Sequence, residues 1–193
     1  MKKVSLLFLS IGIAILSYAQ PVADNAVIPV SVNLNSILRL NVTSGGNIEF
    51  TFTNIDQYTN GLENTDRYDT HFTVASSVDF DVTLSTEDAT FIGADNPANT
   101  MDLDFVAYDI ESDGSGGEGT NWDFPLALVD LQQNPAQPIV SSLPGAGAGD
   151  VNQNSFIINW ECGTASTGGG SILSASIPAD RYTTNVYLVL SAQ

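Results

Sequence analysis

The chain is poor in the groups that most enzymes and metal sites draw on. It has one cysteine, Cys162, and one histidine, His71. A single thiol forms no internal disulfide, so the core has to hold without a covalent staple, and Cys162 in "NWECG" reads as a small buried hydrophobe. One Cys and one His fall short of a zinc site, which takes several such ligands. A Ser-His-Asp triad would have to use His71 as its base, with Asp69 or Asp79 to orient it, and no G-x-S-x-G pattern supplies the nucleophile. Basic residues are nearly as scarce. Lysine occurs only at positions 2 and 3, and Arg39, Arg67 and Arg181 complete the set against 22 acidic residues. Such a surface repels phosphates and anionic headgroups, which excludes nucleic acid as a partner. No segment reaches the roughly 18 apolar residues that a membrane helix needs, so no integral membrane segment is expected.

What is present begins with the leader "MKKVSLLFLSIGIAILSYAQ". Two lysines precede an apolar stretch over residues 6–16, and Ser17 and Ala19 have the small-residue spacing of a signal-peptidase site. Residues 1–19 are therefore read as a signal peptide, which makes the protein secreted. Its removal takes both lysines and leaves three arginines against 22 acidic residues, a balance of −19. The remaining 174 residues of the 193 are enough for one domain with a proper core. With 15 of the chain's 17 aromatic residues and many Val, Ile and Leu, the acidity does not signal disorder.

Apolar residues recur with a period of two. In "NIEFTFTNI", Ile48, Phe50 and Phe52 alternate with polar residues. "HFTVASSVDFDVTLS" alternates on both sides of its Ser-Ser break, and "NSFIINWEC" puts Phe156, Ile158, Trp160 and Cys162 on one face. Each is a predicted strand with one dry face. Residues 103–110 and 122–131 are apolar on both sides, as in inner strands. Segments such as "TSGGN", "GADNPANT", "SDGSGGEGTN" and "TASTGGGS" supply turns. No amphipathic helix of ten residues stands out, so the expected fold is all-β, an antiparallel sandwich formed by residues 30–193.

The two ends of this domain are the unusual parts. From Val22, the even positions read Val22, Asp24, Ala26, Ile28, Val30, Val32 and Leu34, one apolar face with a single exception. That is too long for one ordinary strand, and Pro29 on the opposite parity suits an edge or a junction. Residues 20–29 are read as an extended N-terminal arm able to pair outside its own sheet. At the other end, Val186, Tyr187, Leu188, Val189 and Leu190 form an unbroken apolar run. A strand with two apolar faces wants cover on both. Its own sandwich supplies one, and a neighbour or a folded-over loop must supply the other.

The abundant carboxylates suit two kinds of chemistry, and the aromatics a third. Pairs such as Asp79/Asp81, Asp102/Asp104 and Asp109/Glu111 could serve a glycosidase, but chance spacing explains them in so acidic a chain. Calcium suits the abundant oxygen ligands, and "DIESDGSGGEGT" places Asp109, Glu111 and Asp113 at positions one, three and five of an EF-type loop. Its twelfth position is Thr120, which cannot give the bidentate carboxylate. "DVNQNSFIINWE" ends on Glu161 but has Ser155 where the loop needs glycine. A glycan-binding module would stack sugars on exposed aromatics, for which Tyr58, Tyr68, Tyr108 and Trp122 are the candidates.

With the strands laid out, the chain resembles the pilin-like, Ig-like β-sandwiches of bacterial surface fibres: spore-coat-protein-U-like domains and chaperone–usher pilins. The stretches that carry the likeness are "IPVSVNLNSILRLNVTSGGNIEFTF", "FTVASSVDFDVTLSTEDATF" and the closing "SIPADRYTTNVYLVLSAQ". The leader ending in Ala-Gln and the Asn-, Asp- and Thr-rich style are similar to exported proteins of the Bacteroidota, which implies the surface of a Gram-negative bacterium. The paired cysteines common in pilin domains are missing. The resemblance implies a non-enzymatic fibre subunit without a cofactor, whose sandwich accepts a strand from another copy. Its partners would be copies of itself, with an assembly chaperone or outer-membrane machinery. On this view residues 22–34 are the donor and residues 186–190 the docking strand. The alternative is a monomeric glycan-binding or adhesive module.

Overall fold

A computed structural model describes residues 28–63, 65–125, 127–135 and 137–193. The leader, together with Val22 and Ala26 of the arm, lies outside the described residues. Among the described residues twelve strands run in chain order. The first six are β1 (Leu38–Ser44), β2 (Asp69–Ser76), β3 (Phe80–Thr86), β4 (Thr90–Gly93), β5 (Thr100–Asp102) and β6 (Val106–Ser112). The rest are β7 (Trp122–Asp123), β8 (Val129–Asp130), β9 (Val140–Ser142), β10 (Ser155–Cys162), β11 (Tyr182–Thr183) and β12 (Val186–Ala192). One short helix, α1 (Ile55–Asn60), starts where the Asn54 side chain accepts the Gln57 N–H at 3.0 Å.

Two sheets face each other. The first has the order β1-β2-β10-β6-β8 and the second β12-β3-β9-β7, while β11-β4-β5 forms a small third sheet. All of these pairings are antiparallel. The fold is thus an all-β antiparallel sandwich, and residues 35–193 form one compact unit.

Alternation explains the layers. On β2 the even residues Thr70, Phe72, Val74 and Ser76 are buried, and on β3 Phe80, Val82, Leu84 and Thr86 are. The Ser76–Ser77 break sends the chain from one sheet to the other, so these two rows meet across the core. Aromatic rings fill the middle. Phe72 stacks on Phe156 with centroids 5.2 Å apart, and Trp122 meets Phe156 edge-on at 4.9 Å. The Trp160 indole N–H donates to Thr70 Oγ1 at 3.0 Å, which satisfies its one polar atom inside the core.

Three expectations need correction. Residues 47–53 join no ladder, although Ile48, Phe50 and Phe52 pack inward on the core as the alternation requires. Phe50 lies 4.5 Å from the Tyr68 ring and Phe52 5.3 Å from Tyr58. Alternation reports which side of an extended chain is dry, not whether its backbone finds a partner. Residues 122–131 make two strands of two residues each rather than one strand. Residues 103–105 form a 3-10 turn ahead of β6, so the strand starts at Val106.

Candidate functional site

The run at residues 186–190 lies in β12, which among the described residues pairs with β3 alone and leaves its other edge free. Leu188 stands opposite Leu84 and Leu190 opposite Val82, so both point to the core side and are half-buried. Tyr187 and Val189 point away from it and are 46% and 51% exposed. At the same flank, β1 ends the first sheet with its own free edge, since among the described residues it pairs with β2 alone. The two edge strands belong to different sheets, yet Cα atoms of β1 and β12 come within 8 Å of each other.

The flank between them is open. Leu38, Leu40 and Val42 stand opposite Ser76, Val74 and Phe72 and so face inward, and Val186 on β12 does the same opposite Thr86. In a closed sandwich such residues would be buried. Here Leu38, Val42 and Val186 are exposed and Leu40 is only half-buried. Just before the start of β12 lies an open cleft of about 380 Å³ lined by Asp88, Ile92, Pro97, Thr184 and Asn185, among others. Two rows of unpaired backbone groups therefore flank a strip of inward-facing aliphatic side chains. Such an arrangement can take an added strand, with ladder bonds along an edge and its apolar side chains laid on the aliphatic strip.

Of the arm, Ile28, Val30, Val32 and Leu34 fall within the described residues. They are 79–87% exposed, belong to no ladder, and lie outside the compact unit that starts at Asn35. Sequence reasoning singled out β12 for this flank, whereas β1 entered it only as one of the opening strands the resemblance implies. The signal was available in "ILRLNV", where Leu38, Leu40 and Val42 have the period of a half-buried strand.

The remaining candidates are scattered. Asp109 and Glu111 lie within β6, on one face and two residues apart, while Asp113 follows the strand and sits 3.8 Å from His71 Nδ1. An extended strand does not curl around an ion as a calcium loop does, and among the described residues no three of His, Cys, Asp and Glu form a group that could hold a metal ion. The carboxylate at ion-pair distance from His71 is thus Asp113, not Asp69 or Asp79. Asp79 instead accepts the N–H groups of Gly145 at 2.7 Å and Gly147 at 2.9 Å, which hold its carboxyl below the usual range. Of the aromatics suited to sugar stacking, Tyr68, Tyr108 and Trp122 are buried, and Tyr58 packs on Phe52. Cys162 is buried, and burial followed by the Glu161 charge pushes its thiol up to about 12.

No helix among the described residues is long and apolar enough to cross a membrane. No family model matches the chain, and no curated protein matches it.

Proposed function

We propose that this protein is a structural subunit of an extracellular filament or surface layer, assembled head to tail by β-strand donation. The observation that carries this reading is the open flank, where two free strand edges frame the exposed, inward-facing Leu38, Val42 and Val186. The donor is the arm of another copy. Its row Ile28, Val30, Val32 and Leu34 has the period of a strand, and seven residues from 28 to 34 match the seven of β12.

Strand spacing sets how the arm docks. A strand seated between two edges needs about twice 4.8 Å. Where β1 and β12 come within 8 Å there is no room for that. The incoming strand therefore adds to β12 and lays its apolar row over β1. Each aliphatic side chain it buries contributes roughly 1.5–3 kcal/mol, and the new ladder satisfies the edge amides and carbonyls. Because donor and acceptor are different surfaces of one chain, the contact does not close on itself and propagates. Export by the leader and a strongly acidic surface suit a subunit held at high local concentration outside the cell.

The test is electron microscopy and size-exclusion chromatography of protein starting at residue 20. Fibres are expected, and deletion of residues 20–34 should leave a folded monomer. A synthetic peptide of residues 20–34 should bind that monomer and stop elongation of the longer protein. Fibres from the truncated chain, or a monomer from the longer one, would sink this reading.

A further inference from the structure

A second feature lies on the outer face of the first sheet, away from the open flank. The register places Asn159 of β10 directly between Asp69 of β2 and Asp109 of β6, and all three lie on the face turned from the core. Asp66, Glu111 and Asp109 are within electrostatic reach of Asp69, and so is His71, which opposes them. Arg67 is turned elsewhere, its guanidinium 5.5 Å from the Tyr68 ring centroid.

Within this acidic group Asn159 is only 4% exposed, and its Nδ2 has no hydrogen-bond partner among the described residues. Asp69 Oδ1 is shut from solvent and unpartnered as well. Buried polar atoms without partners are rare because nothing replaces the water they give up. Half a turn about its last bond lets the Asn159 carboxamide present oxygen instead of nitrogen with no change of shape. Three adjacent strands then place two carboxylates and one amide oxygen side by side on one face, with no thiol or aliphatic amine among them. Hard oxygen donors of this kind suit calcium rather than a transition metal.

We infer that Asp69, Asn159 and Asp109 hold a calcium-type divalent cation on the outer face of the first sheet, with water completing its shell. The site shares only Asp109 with the EF-type loop and does not depend on strand donation. With three protein ligands its affinity falls in the weak extracellular range, with Kd on the order of 10⁻⁴–10⁻³ M.

Isothermal calorimetry and thermal melts of the purified protein in calcium chloride at fixed ionic strength test this, with magnesium chloride alongside. Calcium should give one saturable site and a rise in Tm. Asn159→Leu keeps the shape, removes the ligand and should abolish saturable binding, as should Asp109→Asn. Asn159→Asp adds a third carboxylate, so it should tighten binding by about tenfold and lower Tm in chelator. Exposed Asp123 lies on the other sheet, and Asp123→Asn should change nothing. The inference is overturned if calcium binding is not saturable, or if it survives unchanged in Asn159→Leu and Asp109→Asn. Failure of Asn159→Asp to tighten binding would equally count against it.

Discussion

Val42 and Phe72 stand opposite each other in the β1–β2 ladder, on the same face of the sheet, yet Phe72 is fully buried and Val42 is 41% exposed. One step along a row of paired residues thus leads from the centre of the core to its uncovered margin. The cause is the missing neighbour, since among the described residues no strand follows β1 in its sheet and none follows β12 in the other.

This contrast predicts opposite outcomes for two substitutions. Phe72→Ala leaves a cavity at the Phe156 stacking contact and should cost about 3–5 kcal/mol in urea denaturation. Val42→Ser removes an aliphatic group from the flank and should cost the monomer no more than about 1 kcal/mol. The same Val42→Ser change should weaken fibre formation, because it removes apolar surface that the incoming strand covers. Normal fibres from that variant would count against docking at this flank.

The acid side of the stability curve should reflect two aspartates with opposite shifts. Asp79 is held low by the Gly145 and Gly147 amides, so its contribution is full above the unfolded value of 3.8 and is lost as pH falls through the lower folded value. Asp69 is held high, by burial first, so its ionisation opposes folding as pH rises from 3.8 through the raised value. In chelator at neutral pH, Asp79→Asn should lower Tm and Asp69→Asn should raise it. Melting curves of both variants from acid to neutral pH check this, and both differences should shrink toward the acid end.

Cys162 should be silent in the native protein. Its thiol is buried and pushed up to about 12, so almost no thiolate forms at neutral pH and no reagent reaches it. Labelling with a thiol reagent should proceed only through unfolding and accelerate with urea. A non-reducing gel of native protein should show no disulfide-linked dimer. Rapid labelling in buffer would show that this end of β10 opens locally.

The strands that alternate cleanly were legible in the sequence, and for one physical reason. Phe72 to Ser76, Phe80 to Leu84 and Phe156 to Cys162 each face one dry side, and period two records it. Residues 47–53 carry the same record without a ladder, because hydrophobic alternation fixes the orientation of side chains and not the pairing of amides. The Asp69–Asn159–Asp109 row was invisible for a related reason. Its members lie 90 and 50 residues apart in the chain, and only the register of β10 between β2 and β6 brings them together.

By itself the sequence determined an all-β sandwich without a disulfide, an acidic surface, an alternating apolar stretch before the domain and a sticky strand at its end. Those properties follow from residue types and their period, which act locally. Tertiary structure alone decided that β12 is an edge, that β1 lies beside it, and that inward-facing Leu38, Val42 and Val186 stay exposed. Whether an apolar residue is covered depends on which strands become neighbours, and that is a property of the assembled sheets rather than of any one segment.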